Sequence, residues 1–81
     1  MNENLSKMQW KCRRGMLELD LCLTCYLEKC YFAASTQEQA QFNALLEEND
    51  TDIWDWLMKA ATPLPQHQVI IEKIQAVNKT Q

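Results

Sequence analysis

Apolar residues recur at helical spacing along almost the whole chain, and no stretch alternates with the two-residue period of a β-strand. The chain contains one Gly and two Pro, so few residues interrupt the helical pattern. The pattern predicts helices over residues 4–13, 16–32, 35–49, 49–61 and 65–79. Short connections favour antiparallel neighbours. We therefore expect an all-α fold in which residues 1–81 form a single domain, a compact bundle of about five short and mostly antiparallel helices.

The second predicted helix has the broadest apolar face, which is typical of the central helix of a bundle. The residues that we expect to face the core from this helix are Met16, Leu19, Leu23, Tyr26, Leu27 and Cys30, with Leu17, Leu21 and Cys25 beside them. The other helices are expected to bury Leu5, Met8, Cys12, Phe42, Leu45, Leu46, Val69, Ile70, Ile74 and Val77. Ser35 and Glu38 match a capping box, which places the start of the third helix at Ser35.

Composition and charge limit the classes of partner. Apolar residues make up 47% of the chain and charged residues 23%, which is typical of a globular protein. The net charge of −3 argues against general binding to nucleic acid or to an anionic membrane. Basic residues concentrate in residues 1–14, whereas residues 31–58 contain acids and no Lys or Arg. No apolar run reaches transmembrane length, and the first ten residues resemble no targeting peptide, so we expect a cytosolic protein.

Four cysteines, Cys12, Cys22, Cys25 and Cys30, raise the question of a metal site. Cys22 and Cys25 have the spacing of zinc ligands, and Cys30 and His67 are conceivable completing ligands. The pair lies inside a leucine-rich predicted helix rather than in a tight knuckle, however, and free cysteine packs like a small hydrophobic residue. We expect core or half-exposed thiols with no metal and no cofactor. A zinc- or redox-responsive module is the alternative, and metal analysis and thiol titration would detect it.

The sequence shows no arrangement of catalytic residues. His67 is the only histidine, and no Cys, Ser or acid is close to it in sequence, so we interpret it as a solvated loop residue. No nucleophile with a neighbouring base, phosphate-binding glycine loop or carboxylate constellation is present. We expect a protein that is not an enzyme by itself.

Trp54 and Trp56 lie two residues apart, so on a helix their side chains point about 200° away from each other. Both are covered only if their helix is central in the bundle. We interpret them as core aromatics, with one ring as a partner anchor as the alternative.

Residues 10–20 are the candidate docking corner. If the first helix continues far enough, Trp10, Arg14 and Glu18 form one exposed stripe at successive four-residue intervals. Gly15 would end this helix and leave the backbone bare beside Arg14. A guanidinium, a bare backbone and an acid suit recognition of a carboxylate, a phosphate or a peptide backbone on a partner. Each residue also has a purely structural explanation. Gly15 would serve only to end a helix, the arginines are favourable cations at a helix C-terminus, and Glu18 is an acid on a solvated helix face.

The stretch RRGMLELDLCL, residues 13–23, resembles the signature of the succinate dehydrogenase flavinylation factors, also called succinate dehydrogenase assembly factor two. These small all-helical proteins are marked by Arg-Gly-x-x-Glu, commonly extended to Arg-Gly-Met-x-Glu-Leu-Asp. The matching residues are Arg14, Gly15, Met16, Glu18, Leu19 and Asp20. A second stretch, FNALLEENDTDIWDWLM at 42–58, is similar to the family's Leu-Leu-Glu, acidic turn and Asp-x-Trp-Leu block. The resemblance covers nearly the whole chain.

This resemblance implies an assembly factor. Members of the family bind the flavoprotein subunit of succinate dehydrogenase, in bacteria often that of fumarate reductase too, and promote covalent attachment of FAD to a histidine of that subunit. The resemblance implies Arg14, Gly15 and Glu18 as the partner-binding residues, and Trp10, Arg13, Met16 and Asp20 complete the predicted set. We expect a heterodimer with the flavoprotein in the bacterial cytoplasm, since the chain shows no mitochondrial presequence. An antitoxin-like regulatory partner of an unrelated protein is a further alternative.

Overall fold

The computed structural model describes residues 3–79 of the chain, with side chains from residue 6 onward. Helix α1 spans Glu3–Lys11, α2 Leu17–Lys29, α3 Thr36–Leu45, α4 Asp50–Leu57 and α5 Gln68–Lys79. Two short 3-10 turns, Tyr31–Ala33 and Pro65–His67, follow α2 and precede α5. The all-α prediction is confirmed, because residues 3–79 contain these five helices and no strand. None of the helices in this range is both long enough and apolar enough to cross a lipid bilayer.

The predicted helix starts are correct where side chains cap them. The Ser35 hydroxyl accepts a hydrogen bond from the Glu38 backbone N–H at 3.1 Å, which fixes the start of α3. The Asn49 side chain accepts one from the Asp52 N–H at 2.9 Å and does the same for α4. The Glu38 carboxylate does not complete the capping box; it accepts a hydrogen bond from the Tyr26 hydroxyl instead.

Helix α5 ends at Lys79 as predicted, whereas the other four helices end before the predicted residue. Helix α1 ends at Lys11 rather than Arg13, and α3 ends at Leu45 rather than near Asn49. Helix α4 ends at Leu57 because Lys59 adopts the left-handed conformation, with φ of 62°. The Ala60 N–H then bonds back to the Asp55 carbonyl at 2.8 Å, which is the pattern of a Schellman cap.

Helix α2 is central, since it packs against both α5 and α1, and it buries Leu19, Leu23, Tyr26 and Leu27. The remaining core comes from the other four helices, the residues that directly follow α1 and α3, and the first 3-10 turn. Its buried apolar residues are Met8, Cys12, Tyr31, Phe42, Leu45, Leu46, Ile53, Trp56, Leu57, Ile70, Ile71 and Ile74. The Tyr26 and Phe42 rings stack with centroids 4.7 Å apart. Trp56 is buried and Trp54 packs half-buried against the core, as the core interpretation predicts.

Three residues expected in or beside the core are exposed: Leu17, Leu21 and Val69. Leu17 and Leu21 each lie two positions before a buried leucine of α2, so the helix turns them about 200° away from the core. The predicted face of this helix is therefore too broad, and its outer side presents apolar residues to solvent. Leu5, also expected in the core, lies outside the described side chains.

Candidate functional site

The chain between α1 and α2 does not continue the first helix, so the predicted stripe is wrong. Trp10 lies in the last turn of α1 and Glu18 in the first turn of α2, whereas Arg14 lies in the irregular connection between them. The helix ends before Arg14 because the chain turns there to bring Met16 back against the core. Trp10 and Glu18 are both exposed, but no common helix face joins them to Arg14.

Gly15 forms the bend just before α2. The prediction that it ends α1 is wrong, because α1 stops four residues earlier. Its φ of +91° lies in a region that residues with a side chain rarely adopt. A Cβ atom at this position would meet no atom within 4 Å. The glycine is therefore required for its backbone conformation, and the space beside it is open to solvent.

Arg14 directs its guanidinium into the protein. Its Nε donates to the Asp50 carboxylate at 2.6 Å, and its Nη1 and Nη2 donate to the carbonyls of Leu46 and Glu48, each at 2.6 Å. A longer contact of 3.4 Å joins Nη1 to the Lys11 carbonyl. The side chain is only 15% exposed. We call this arrangement of Arg14 with Leu46, Glu48 and Asp50 the Arg14 clamp; it fixes the α1–α2 connection to the α3–α4 connection.

Asp20 holds the same connection from the other side. Its Oδ1 accepts the backbone N–H of Arg14 at 2.6 Å, and its own N–H bonds to the Met16 carbonyl at 2.8 Å. The carboxylate also lies in the first turn of α2, where it is favoured by the helix dipole. Side chain and backbone of Arg14 are thus both bonded within the chain, which gives the Gly15 bend a defined shape.

His67 is not the solvated loop residue that the sequence predicts. Its side chain is 3% exposed, and its Nε2 lies 2.8 Å from a carboxylate oxygen of Glu48. The ring also packs against Trp56 with centroids 5.6 Å apart, while Nδ1 is buried with no hydrogen-bond partner in residues 3–79. The interpretation failed because Glu48 is 19 residues away in sequence and only the fold brings the two together. Glu48 therefore contacts Arg14 through its carbonyl and His67 through its carboxylate.

The exposed residues of the corner are distinct from those of the Arg14 clamp. Arg13, Gly15 and Glu18 are exposed, and Trp10 exposes 74% of its surface. Within the described part of the chain, neither Arg13 nor Glu18 forms an ion pair. Of the acids near Arg14, Asp50 and Asp20 bond to it and Glu18 does not. The predicted site residues are therefore brought to one corner but divided between an inner and an outer layer.

All four cysteines are free thiols. Cys12 is fully buried, and burial raises the pKa of its thiol to about 12, an effect that the nearby Arg14 partly offsets. Burial also raises the pKa of the half-buried Cys22 thiol, with smaller contributions from Cys25 and Glu18. Among the residues that the structure describes, no three His, Cys, Asp or Glu side chains are placed to bind a metal ion together.

Known proteins with similar sequences identify the family. Residues 6–78 match the sequence model of the family described as flavinator of succinate dehydrogenase. The chain belongs to this family. A protein of Coxiella burnetii named FAD assembly factor SdhE is 42% identical over 96% of this chain and 99% of its own length. A protein of the same name from Vibrio parahaemolyticus is 39% identical over 94% of this chain and 90% of its own length. One from Francisella tularensis is also 39% identical, over 88% of this chain and 75% of its own length.

Family membership confirms the resemblance seen in residues 13–23 and 42–58, and the structure shows how these two stretches of the chain meet. Arg14 of the first stretch bonds to Leu46, Glu48 and Asp50 of the second. The roles of Asp50 and Glu48 were not predicted. The acidic turn of the second stretch was the available signal, because an arginine that becomes buried is almost always paired with an acid.

Proposed function

We propose that this chain is an assembly factor that binds the flavoprotein subunit of succinate dehydrogenase and promotes covalent attachment of FAD to it. The observation that supports this most is the match of residues 6–78 with the flavinator family, together with relatives named FAD assembly factor. The flavoprotein of fumarate reductase is a second client of the same kind. The setting that we propose is the bacterial cytoplasm, since the relatives named above are bacterial proteins.

The surface that we assign to the client is the outer layer of the corner, with Gly15 and Glu18 at its centre and Trp10 and Arg13 beside them. Open space next to Gly15 permits close approach of another backbone. Arg14, Met16 and Asp20 support this surface from beneath, because their bonds and packing set the path of the chain at Gly15. Trp10 offers a large exposed ring of the type that anchors protein interfaces.

We assign an orienting role, rather than a catalytic one, to the residues of this chain. The flavin itself supplies the electronic chemistry of its attachment, and the client supplies the histidine that becomes linked. A factor bound at the corner would align the flavin and the histidine, or favour the client conformation in which they are aligned. We assign no catalytic residue and no FAD-binding residue to this chain, and the complex that we propose is a heterodimer.

The variants Gly15→Arg and Glu18→Gln test this proposal. A long side chain at position 15 would occupy the space proposed for the client, so we expect Gly15→Arg to weaken binding of the purified, FAD-loaded flavoprotein by roughly tenfold or more in a calorimetric titration. Circular dichroism controls for folding. Failure of the wild-type chain to bind the flavoprotein would contradict the proposal.

Glu18→Gln separates docking from proton transfer, because the amide keeps the shape of the side chain but is not a base. At saturating concentration of the variant, we expect the yield of covalent flavin to match that of the wild type. A variant that binds normally but no longer promotes flavin attachment would show instead that Glu18 takes part in proton transfer.

A further inference from the structure

An open groove of about 350 Å³ lies between the end of α1 and the outer face of α2. Its lining residues are Gln9, Arg13, Leu17, Asp20, Leu21 and Thr24. Leu17 and Leu21 are one helical turn apart and expose 73% and 61% of their surfaces. Single exposed leucines are common on protein surfaces, but two leucines side by side in a groove form a small apolar patch next to the candidate site.

The groove is continuous with the surface assigned to the client. Arg13 and Leu17 lie two residues before and after Gly15, and Leu17 directly precedes Glu18. A stable protein interface covers roughly 800 Å² on each partner, which is more than Gly15 and Glu18 provide. A protein that rests on these two residues therefore has to extend over neighbouring side chains, and the groove offers the apolar ones.

The charges in the groove indicate the chemistry of its occupant. Arg13 is exposed and has no ion-pair partner within residues 3–79, so its guanidinium is available to a carboxylate from outside. Asp20, on the opposite wall, is already engaged with the Arg14 N–H. In a two-fold contact between two copies of this chain, the acid that the groove lining would offer to Arg13 is the copy's Asp20, which is already bonded to the Arg14 N–H. An acidic, apolar segment of a different protein fits the groove better.

We propose that this groove seats an apolar segment of the flavoprotein that includes a carboxylate, with Leu17 and Leu21 as apolar contacts and Arg13 as the charge partner. The proposal rests on the proposed function and specifies which part of the client the surface accepts. It assigns to Arg13 the direct ionic contact that Arg14, held in the clamp, does not offer.

The test is a calorimetric titration of the FAD-loaded flavoprotein subunit with the wild-type chain, the double variant Leu17→Ser/Leu21→Ser and the single variant Arg13→Gln. Leu64→Ser is the matched control, because Leu64 is also exposed but lies outside the groove. We expect the double variant to lose roughly tenfold or more in affinity and the control to stay within about twofold. Arg13→Gln should weaken binding and reduce its dependence on salt concentration.

The outcomes separate the two proposals. If the wild-type chain does not bind the flavoprotein, both the proposed function and the groove proposal are wrong. If it binds and the folded double variant binds equally well, the groove proposal alone is wrong. Sedimentation of the free chain detects the other occupant: a wild-type dimer that Leu17→Ser/Leu21→Ser converts to a monomer would assign the groove to a second copy.

Discussion

At the scale of single residues, the arginine of the family motif is largely buried, with 15% of its side chain exposed, whereas Arg13, Gly15 and Glu18 beside it are exposed. Every nitrogen of its guanidinium bonds to an acceptor within the chain, and three of these bonds reach residues more than 30 positions away in sequence. Such charge-assisted bonds are stronger than neutral ones, and removing the arginine leaves its three acceptors without their donor. Arg14 therefore stabilises the fold as well as the corner.

Arg14→Ala should lower the free energy of unfolding by about 2 kcal/mol, because it leaves the Leu46 and Glu48 carbonyls and the Asp50 carboxylate without their donor. Asp50→Ala should have a smaller effect, and the double variant should be less destabilised than the sum of the two. Urea denaturation measures all three. Additive effects would show that the two side chains do not interact.

Client binding distinguishes the two roles of Arg14. If Arg14 acts through the clamp, Asp50→Ala should weaken flavoprotein binding as Arg14→Ala does, although Asp50 lies outside the outer layer of the corner. If Arg14 instead contacts the client directly, Asp50→Ala should leave binding unchanged or improve it. Comparison of the two affinities, with both variants shown to be folded, decides between these results.

The hydrogen bond from the Tyr26 hydroxyl to the Glu38 carboxylate gives stability a defined pH dependence. This bond, with the nearby Lys73, holds the pKa of the Glu38 carboxyl below its usual value, while burial and the same bond raise the pKa of Tyr26. A carboxyl whose pKa is lowered by folding stabilises the protein above its unfolded pKa and ceases to do so as pH falls through the folded pKa.

Tyr26→Phe should therefore cost about 1 kcal/mol at neutral pH, and the difference from wild type should shrink as the solution is acidified below the usual pKa of Glu. Urea denaturation at several pH values measures this difference, and NMR titration should show the pKa of Glu38 rising in the variant. A difference that stays constant down to pH 2 or so would mean that the bond does not depend on the charge of Glu38.

At the scale of helices and connections, hydrophobic periodicity was sufficient to predict the five helices, and the side-chain cap at Ser35 was predictable because its partner is three residues away. The helix ends and the site were less predictable. The bend at Gly15, the Arg14 clamp and the burial of His67 depend on contacts between residues distant in sequence. Periodicity also placed Leu17 and Leu21 beside the core, although both are exposed. The spacing of apolar residues does not reveal how many neighbouring helices cover a helix.

The Gly15 bend can be tested with both mirror forms of alanine, because a chain of 81 residues is accessible to chemical synthesis. Gly15→Ala should lower the free energy of unfolding by about 1 kcal/mol, since its φ of +91° is unfavourable for an L-residue. D-alanine in place of Gly15 should not destabilise the protein, because positive φ suits it and its methyl group meets no atom within 4 Å. Equal destabilisation by both would show that the open space is occupied in solution.

At the scale of the whole molecule, the polarised charge of the sequence is partly neutralised inside the fold, where Arg14 of the basic segment pairs with Asp50 of the acidic one. Arg13 remains exposed in one groove with Leu17 and Leu21, so two exposed apolar residues and an available cation share one part of the surface. Apolar anchors with charges around them are the usual composition of a protein interface. This distribution supports a binding role for a small bundle whose family is defined by flavinylation.

The most direct test of the proposed function is the covalent flavin content of the flavoprotein subunit, measured as fluorescence of the denatured subunit on a gel. FAD-loaded, unmodified flavoprotein is incubated alone, with the wild-type chain and with Gly15→Arg. We expect the wild-type chain to increase the covalent fluorescence and Gly15→Arg to leave it at the level of flavoprotein alone. Equal fluorescence in all three samples, with the flavoprotein folded and able to bind FAD, would contradict an assembly role for this chain.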